Sequence, residues 1–404
     1  MSATHPCLEE SVHARLLLLA VVLSVLPAVA AAQAPTVQVQ GRIQVQYRVS
    51  SGDSSSNFQN SALPQVSNIF EVRRLRIQTN VRFGDNINLS IQPSFEMGAL
   101  RMRDAFLRVG ISPRIGFTVG QEKSPFQRYE LNSSNTLPSV ERGLRVLRLS
   151  GKEGLNDLLF NNGYVSHDLG AFVDYVGPEN KITVKAGVQS GSRESATDVN
   201  NAKSFFGRAT ATAMTNADNQ PVLQVGASFA SRDRAICQAP ATGACTAYYA
   251  DSSTQTAAFG LDAEWGGFRP GLHVFADFAT GKNVPIANRT AAAGSRNTGN
   301  LRTSADSALR TFMGFSLIGA YRVNTTGPDT RLIKFFEPAL RIDYLDPDTD
   351  TDNDQGLLIT PAINIYFANS VVLRAGFDFY SYKDANTGES QTARELKFSW
   401  QANF

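Results

Sequence analysis

The end of the chain separates into two faces by parity. Leu396, Phe398, Trp400, Ala402 and Phe404 alternate with Glu395, Lys397, Ser399, Gln401 and Asn403. A period of two belongs to a β-strand with one apolar and one polar face, since a helix would repeat every 3.6 residues. The pattern recurs near the start, where Val37, Val39, Ile43, Val45, Tyr47 and Val49 interleave with Gln38, Gln40, Arg42, Gln44, Gln46 and Arg48. It recurs in Ile87, Leu89 and Ile91 against Asn88, Ser90 and Gln92, and in Val371, Leu373, Ala375, Phe377 and Phe379. These runs exceed the ~5–6 residues usual for soluble strands. They match the ~9–11 or more that cross a bilayer as a barrel with a lipid face and a wet lumen.

Sixteen such segments can be placed, at 36–49, 68–83, 86–97, 101–110, 114–122, 168–177, 180–190, 203–215, 221–231, 254–265, 269–280, 308–323, 331–345, 356–368, 371–382 and 392–404. The connections alternate in length. Asp85, Ser112-Pro113, Pro178-Glu179, Gly266-Gly267 and Asn369-Ser370 mark tight turns, while 50–67, 123–167, 191–202, 232–253, 281–307, 346–355 and 383–391 are long and polar. Short turns at one rim and long loops at the other are the mark of outer-membrane barrels. One outer connection, Gly98-Ala99-Leu100, is short against this rule. The strand-like stretch from Gly143 to Lys152 is assigned to the third long loop, and fourteen or eighteen strands stay open as alternatives. The expected fold is therefore all-β, a transmembrane antiparallel barrel of sixteen strands.

Only Leu16 to Ala32 is continuously apolar, so a helical membrane protein is excluded. Arg15, the leucine-rich run after it, Pro27 and the Ala30-Ala31-Ala32 site form a secretory signal peptide, expected over 1–32 with the barrel over 33–404. Export places Cys237 and Cys245 in an oxidising compartment, where they are candidates for a disulfide. His167 and His273 are the histidines beyond the leader, too few for a metal site, and no phosphate-binding loop or nucleophile motif is present. No enzymatic activity, cofactor or metal is expected. Lys and Arg total 38 against 36 Asp and Glu, which excludes a globally basic nucleic-acid binder. Asp346, Asp348, Asp350, Asp352 and Asp354 read as a solvated acidic loop, because Thr351 and Leu357 stand where a calcium loop needs Gly and Glu.

Several stretches resemble one family. Gly41-Arg42-Ile43-Gln44-Val45-Gln46-Tyr47 precedes Phe70-Glu71-Val72-Arg73-Arg74-Leu75-Arg76-Ile77. Asp104-Ala105-Phe106-Leu107-Arg108-Val109 and Val119-Gly120-Gln121-Glu122-Lys123-Ser124-Pro125-Phe126 follow, then Val140-Glu141-Arg142-Gly143 and Glu337-Pro338-Ala339-Leu340-Arg341-Ile342-Asp343-Tyr344. In this order and spacing the chain resembles the phosphate-selective porin O and P family. The resemblance implies a homotrimeric sixteen-stranded channel whose third loop, 123–167, folds inward and narrows the pore. It also implies an arginine ladder and a lysine cluster. The chain has nine lysines in all, and no dense cluster of them.

Arginines fit the lumen better. By parity Arg42, Arg48, Arg74, Arg76, Arg82 and Arg108 fall on the polar face of the first four strands. Residues 36–152 carry 16 Lys and Arg against 8 Asp and Glu, so the positive charge is concentrated there. If the third loop folds inward, Lys123, Arg128, Arg142, Arg145 and Arg148 join them near the narrowest point. Basic rings in a narrow, low-dielectric passage attract anions. The expected function is passive diffusion of small anions, phosphate or polyphosphate, across the outer membrane of a Gram-negative-type bacterium. Outer-membrane lipid and lipopolysaccharide are the expected surroundings. A surface receptor or adhesin and a general non-selective porin are the alternatives. Phe404, an exposed terminal aromatic, is the candidate signal for barrel assembly.

Overall fold

A computed structural model of the chain describes residues 34–404 apart from 53–67, 97, 144–152, 193, 195–197, 199, 239–246, 268–269, 286–288, 292–296, 302–308, 326–331, 369 and 384–387. The leader at 1–32 lies outside the described residues. Sixteen long strands form one closed antiparallel barrel. They are β1 (Thr36–Gly52), β2 (Asn68–Phe83), β3 (Ile87–Glu96), β4 (Ala99–Gly110), β5 (Ile115–Lys123), β6 (His167–Val176), β7 (Ile182–Gln189) and β8 (Ser204–Thr215). The second half comprises β9 (Pro221–Cys237), β10 (Tyr248–Trp265), β11 (Gly271–Asn283), β12 (Arg310–Asn324), β13 (Phe335–Asp346), β14 (Gly356–Ala368), β15 (Val371–Lys383) and β16 (Ser390–Asn403). Each pairs with its neighbours in the chain, and β16 closes on β1 with Arg42 opposite Asn403 and Gly52 opposite Ala393. Closure leaves no open edge, as a span through hydrocarbon demands.

The outer wall is apolar along its length. Val39, Phe70, Leu75, Val119, Leu261, Phe315 and Trp400 all point out and are exposed. No helix among the described residues is long and apolar enough to cross a membrane. The turn from β10 to β11 begins with Gly266 and Gly267, both at positive φ, where a side chain would be strained.

Two features differ from the sequence expectation. Strands β9 and β10 run on to Cys237 and back from Tyr248, beyond the expected ends at 231 and 254, which shortens the loop between them. Between β11 and β12, Arg289–Ala291 and Asn297–Leu301 form a small hairpin, and Leu301 pairs with Ile236 of β9. Polar composition hid both, because strand ends projecting beyond the bilayer need no apolar face. Cys237 is buried and disulfide-bonded, while Cys245 lies outside the described residues.

Two bulges in the first four strands break the parity rule. In β2, Phe70 and Val72 point outward, as do Leu75 and Ile77, so Arg73 and Arg74 between them both point inward. The register confirms this, with Gln44 opposite Arg74 but Val45 opposite Val72. In β4 the slip lies where Ile91 faces Ala105 but Pro93 faces Met102. Pro93 has no N–H to give the ladder, a local cause for the break. Each extra residue turns an additional side chain into the lumen.

Candidate pore constriction

The third loop, between β5 and β6, enters the barrel. It carries two short helices, α1 (Arg128–Leu131) and α2 (Leu155–Asn161). Leu155, Leu158, Leu159 and Phe160 of α2 pack with Phe126 and Tyr164 against the inward faces of Phe172, Phe206 and Phe312. Ala230, Ala258 and Ala279 on the wall are small enough to admit them. A Cβ at Gly260 would already stand 3.2 Å from the Phe126 ring. Burying each large apolar side chain contributes about 1.5–3 kcal/mol, so the loop is fixed by an apolar core on this side of the lumen. Sequence parity assumed a polar lumen throughout. The signal it passed over is that Phe205-Phe206 in β8 and Phe229-Ala230 in β9 place apolar residues at both parities.

On the opposite side the loop is held by charge. The Glu141 carboxylate accepts from Arg73 Nε at 2.6 Å and Nη2 at 3.0 Å, and from Arg74 Nη2 at 2.9 Å. Burial alone would raise the Glu141 carboxyl, but the Arg73 and Arg74 guanidiniums outweigh it and hold the group well below the usual carboxylate range. Arg341 of β13 donates to the Glu141 carbonyl at 2.9 Å and also to that of Arg142, while its Nε meets Asp343 at 2.9 Å. Lys123, at the end of β5, donates to the carbonyls of Glu130, Leu131 and Asn132 at 2.6, 3.3 and 3.2 Å. These are carbonyls at the C-terminal end of α1, where a cation is favoured.

The residues singled out in the sequence divide three ways. Arg42, Arg76, Arg108, Lys123 and Arg128 line a cavity of ≈ 820 Å³ beneath the loop, on the side of the short turns. Arg48 and Arg74 are buried in ion pairs, Arg48 with Glu395 at 3.0 Å and Glu71 at 3.2 Å, Arg74 with Glu141. Arg142 is buried inside the loop, donating to the Asn132 carbonyl and lying 3.4 Å from Glu130. Arg82 is exposed beside a smaller cavity at the short-turn rim. Arg145 and Arg148 lie outside the described residues.

The cavity lining carries seven basic side chains against three acidic ones, an excess of four. Lys185 and Arg208 are among the seven, and sequence reasoning missed both because it looked only at the first third of the chain. It also missed Arg73 and Arg103, which parity assigns to lipid and the bulges turn inward. Several of these charges are neutralised. Arg76 Nε meets Glu96 at 2.9 Å, Arg208 pairs with Asp262, Arg128 with Glu264, and Lys185 lies 2.6 Å from Glu122. Arg42 and Lys123 have no carboxylate within 4.0 Å among the described residues. Neutral oxygens meet them instead, the Asn135 amide for Arg42 and backbone carbonyls for Lys123.

At the chain end, Gly41 N–H donates to the Phe404 carbonyl at 2.6 Å and Phe404 N–H returns a bond of 2.9 Å. The Phe404 ring is 68% exposed, and a Cβ at Gly41 would sit 2.5 Å from it. Among the described residues no group of three or more His, Cys, Asp or Glu side chains is placed to hold a metal ion.

The family model described as phosphate-selective porin O and P matches residues 37–380. The comparison with curated proteins found no match. Among solved structures, the chain is similar to the outer membrane channel DcaP of Acinetobacter baumannii at 13% identity and a TM-score of 0.57, covering 92% of this chain and 98% of that one. It is similar to an anion-selective porin from Comamonas acidovorans at 10% identity and a TM-score of 0.56, covering 92% and 100%. It is also similar to the outer membrane protein OmpT of Vibrio cholerae, at 13% identity and a TM-score of 0.52, covering 93% and 100%. At these identities the likeness is one of fold.

Proposed function

The chain belongs to the phosphate-selective porin O and P family, and from that premise we propose that it is an outer-membrane porin passing small anions, phosphate among them, by diffusion. The observation that carries the reading is the cavity beneath the third loop, whose lining is positive in excess and includes Arg42 and Lys123, which have no carboxylate partner among the described residues. Low-dielectric walls focus such a field and enrich anions locally. Arginine stays charged at any working pH and can take two oxygens of a phosphate or carboxylate at once. Conduction favours several weak sites over one tight one, and the cavity's cations are spread over β1, β2, β4, β5, β7, β8 and the loop. The long-loop rim faces the outside, and the protein assembles as a homotrimer among outer-membrane lipid and lipopolysaccharide. No chemical step is needed for transport.

Purified protein in a planar bilayer tests this against a plugged receptor barrel. Discrete conductance steps carried by chloride are expected, with phosphate or polyphosphate added to one side reducing the chloride current. Silence after confirmed insertion would overturn the channel reading. Steps that phosphate leaves unchanged would confine the reading to a general anion pore.

A further inference from the structure

Arg42 and Arg76 stand directly opposite each other in the pairing of β1 and β2. Like charges so placed are unfavourable unless each finds compensation. Arg76 finds it in Glu96 and in the Ser94 hydroxyl at 3.1 Å. Arg42 does not. Its guanidinium donates to Oδ1 of Asn135, an uncharged amide on the inward loop. The Asn135 backbone carbonyl accepts from Arg374, whose other acceptor is the amide oxygen of Gln401 at 2.7 Å. So this part of the loop meets two wall guanidiniums through neutral oxygens, whereas Glu141, six residues further on, is anchored by full charge. Asn135 and its neighbour Ser134 both line the cavity. The Ser134 hydroxyl is buried and has no hydrogen-bond partner among the described residues. A donor is thus left over beside an incompletely compensated cation.

We propose that Asn135 is a neutral stand-in for the permeating anion: its amide oxygen occupies the place at Arg42 that a solute oxygen takes during passage. This rests on the anion-channel reading above. A neutral acceptor bonds a guanidinium less strongly than a charged one, so an arriving anion displaces Asn135 and gains the Ser134 hydroxyl as a second donor. On departure the amide returns, which keeps the site weak enough to release its occupant. Asn135 is therefore a positioning residue for selectivity, and its identity sets how strongly the pore holds anions.

The test compares the wild-type channel with Asn135→Asp and Asn135→Ala in planar bilayers. Two quantities are read: the chloride-to-potassium permeability ratio and the sulfate concentration that halves the chloride current. Asn135→Asp fixes a carboxylate on Arg42, so the ratio is expected to fall about five-fold or more at low salt, and sulfate block to weaken. Asn135→Ala removes the competitor, so sulfate block is expected to tighten about three-fold, with the heat-modifiable barrel retained. Changes in conductance alone, with ratio and block as in the wild type, would reduce Asn135 to a structural latch and overturn the proposal. Should Asn135→Asp fail to insert, the sulfate block of Asn135→Ala decides. Cation selectivity in the wild type would instead defeat the anion-channel reading itself.

Discussion

Glu141→Gln is the perturbation that most sharply separates the ionic anchor of the inward loop from its apolar one. The wild-type carboxylate receives four charge-assisted bonds, two from Arg73 and two from Arg74, all from guanidiniums less than a tenth exposed. Removing one partner from a buried ion pair costs about 3–5 kcal/mol, because the other charge is left uncompensated. Arg74 keeps the Gln44 amide oxygen at 2.7 Å, and a glutamine at 141 still offers one acceptor, which places the loss near the lower figure, about 3 kcal/mol. With a factor of ten for each ~1.4 kcal/mol, detachment of this arm of the loop becomes on the order of 100-fold more frequent. Hydrogen exchange in detergent micelles reads it directly: the amides of residues 134–143 should lose protection by that factor. Those of α2, held by the apolar core, should not change. Equal protection in variant and wild type would refute the anchor. Uniform loss across loop and strands would show that Glu141 holds the barrel wall instead of the loop. The pH dependence follows from the same pair. A carboxyl lowered in the folded state contributes stability present above its unfolded value, near 4.3, and lost as pH falls through the folded value. That folded value is well below the usual range. Loop protection should therefore be flat from pH 8 to about 5 and decline only in stronger acid.

Deleting Phe404 should lower the amount of heat-modifiable, membrane-inserted barrel without changing synthesis, and Gly41→Leu should do the same in part by displacing the ring that lies over Gly41. Equal inserted amounts in all three would remove Phe404 as an assembly signal. Natively purified, unreduced protein should show Cys237 protected from alkylation, and Cys245 protected with it if the two form one bridge. A modified Cys245 beside a protected Cys237 would assign Cys237 another partner. Arg73→Gln should loosen the loop about as much as Glu141→Gln, whereas Arg82→Gln, exposed at the short-turn rim, should leave it unchanged.

The barrel was legible because its cause is local. A strand with lipid on one face and water on the other must alternate, so Ile43, Val45, Leu396 and Trp400 announce themselves residue by residue. The pore is less legible because it is set by register. One inserted residue in β2 turns Arg73 from the lipid to the lumen, and no single position in Phe70-Glu71-Val72-Arg73-Arg74 reveals which neighbour is the extra one. Pro93 was a usable sign of the second slip, since a proline inside a strand marks an edge or a bulge. Which arginines face solute is harder still. Arg74 and Arg42 share a parity, yet one is neutralised by Glu141 from the loop and the other meets the Asn135 amide. That difference depends on contacts across 67 and 93 positions of chain, which no local pattern encodes.

The most direct measurement is the reversal potential of the unaltered channel across a potassium chloride gradient, repeated in dilute and concentrated salt. Arg42 and Lys123 should give it the sign of chloride permeation, strongest near 0.1 M, where the Debye length is ~10 Å, and weaker near 1 M, where it is ~3 Å. The double variant Arg42→Gln with Lys123→Gln should lose most of that preference while the barrel remains folded. A potential of the opposite sign in dilute salt, with potassium the favoured ion, would contradict an anion pore. A chloride preference untouched by the double variant would place its source away from Arg42 and Lys123.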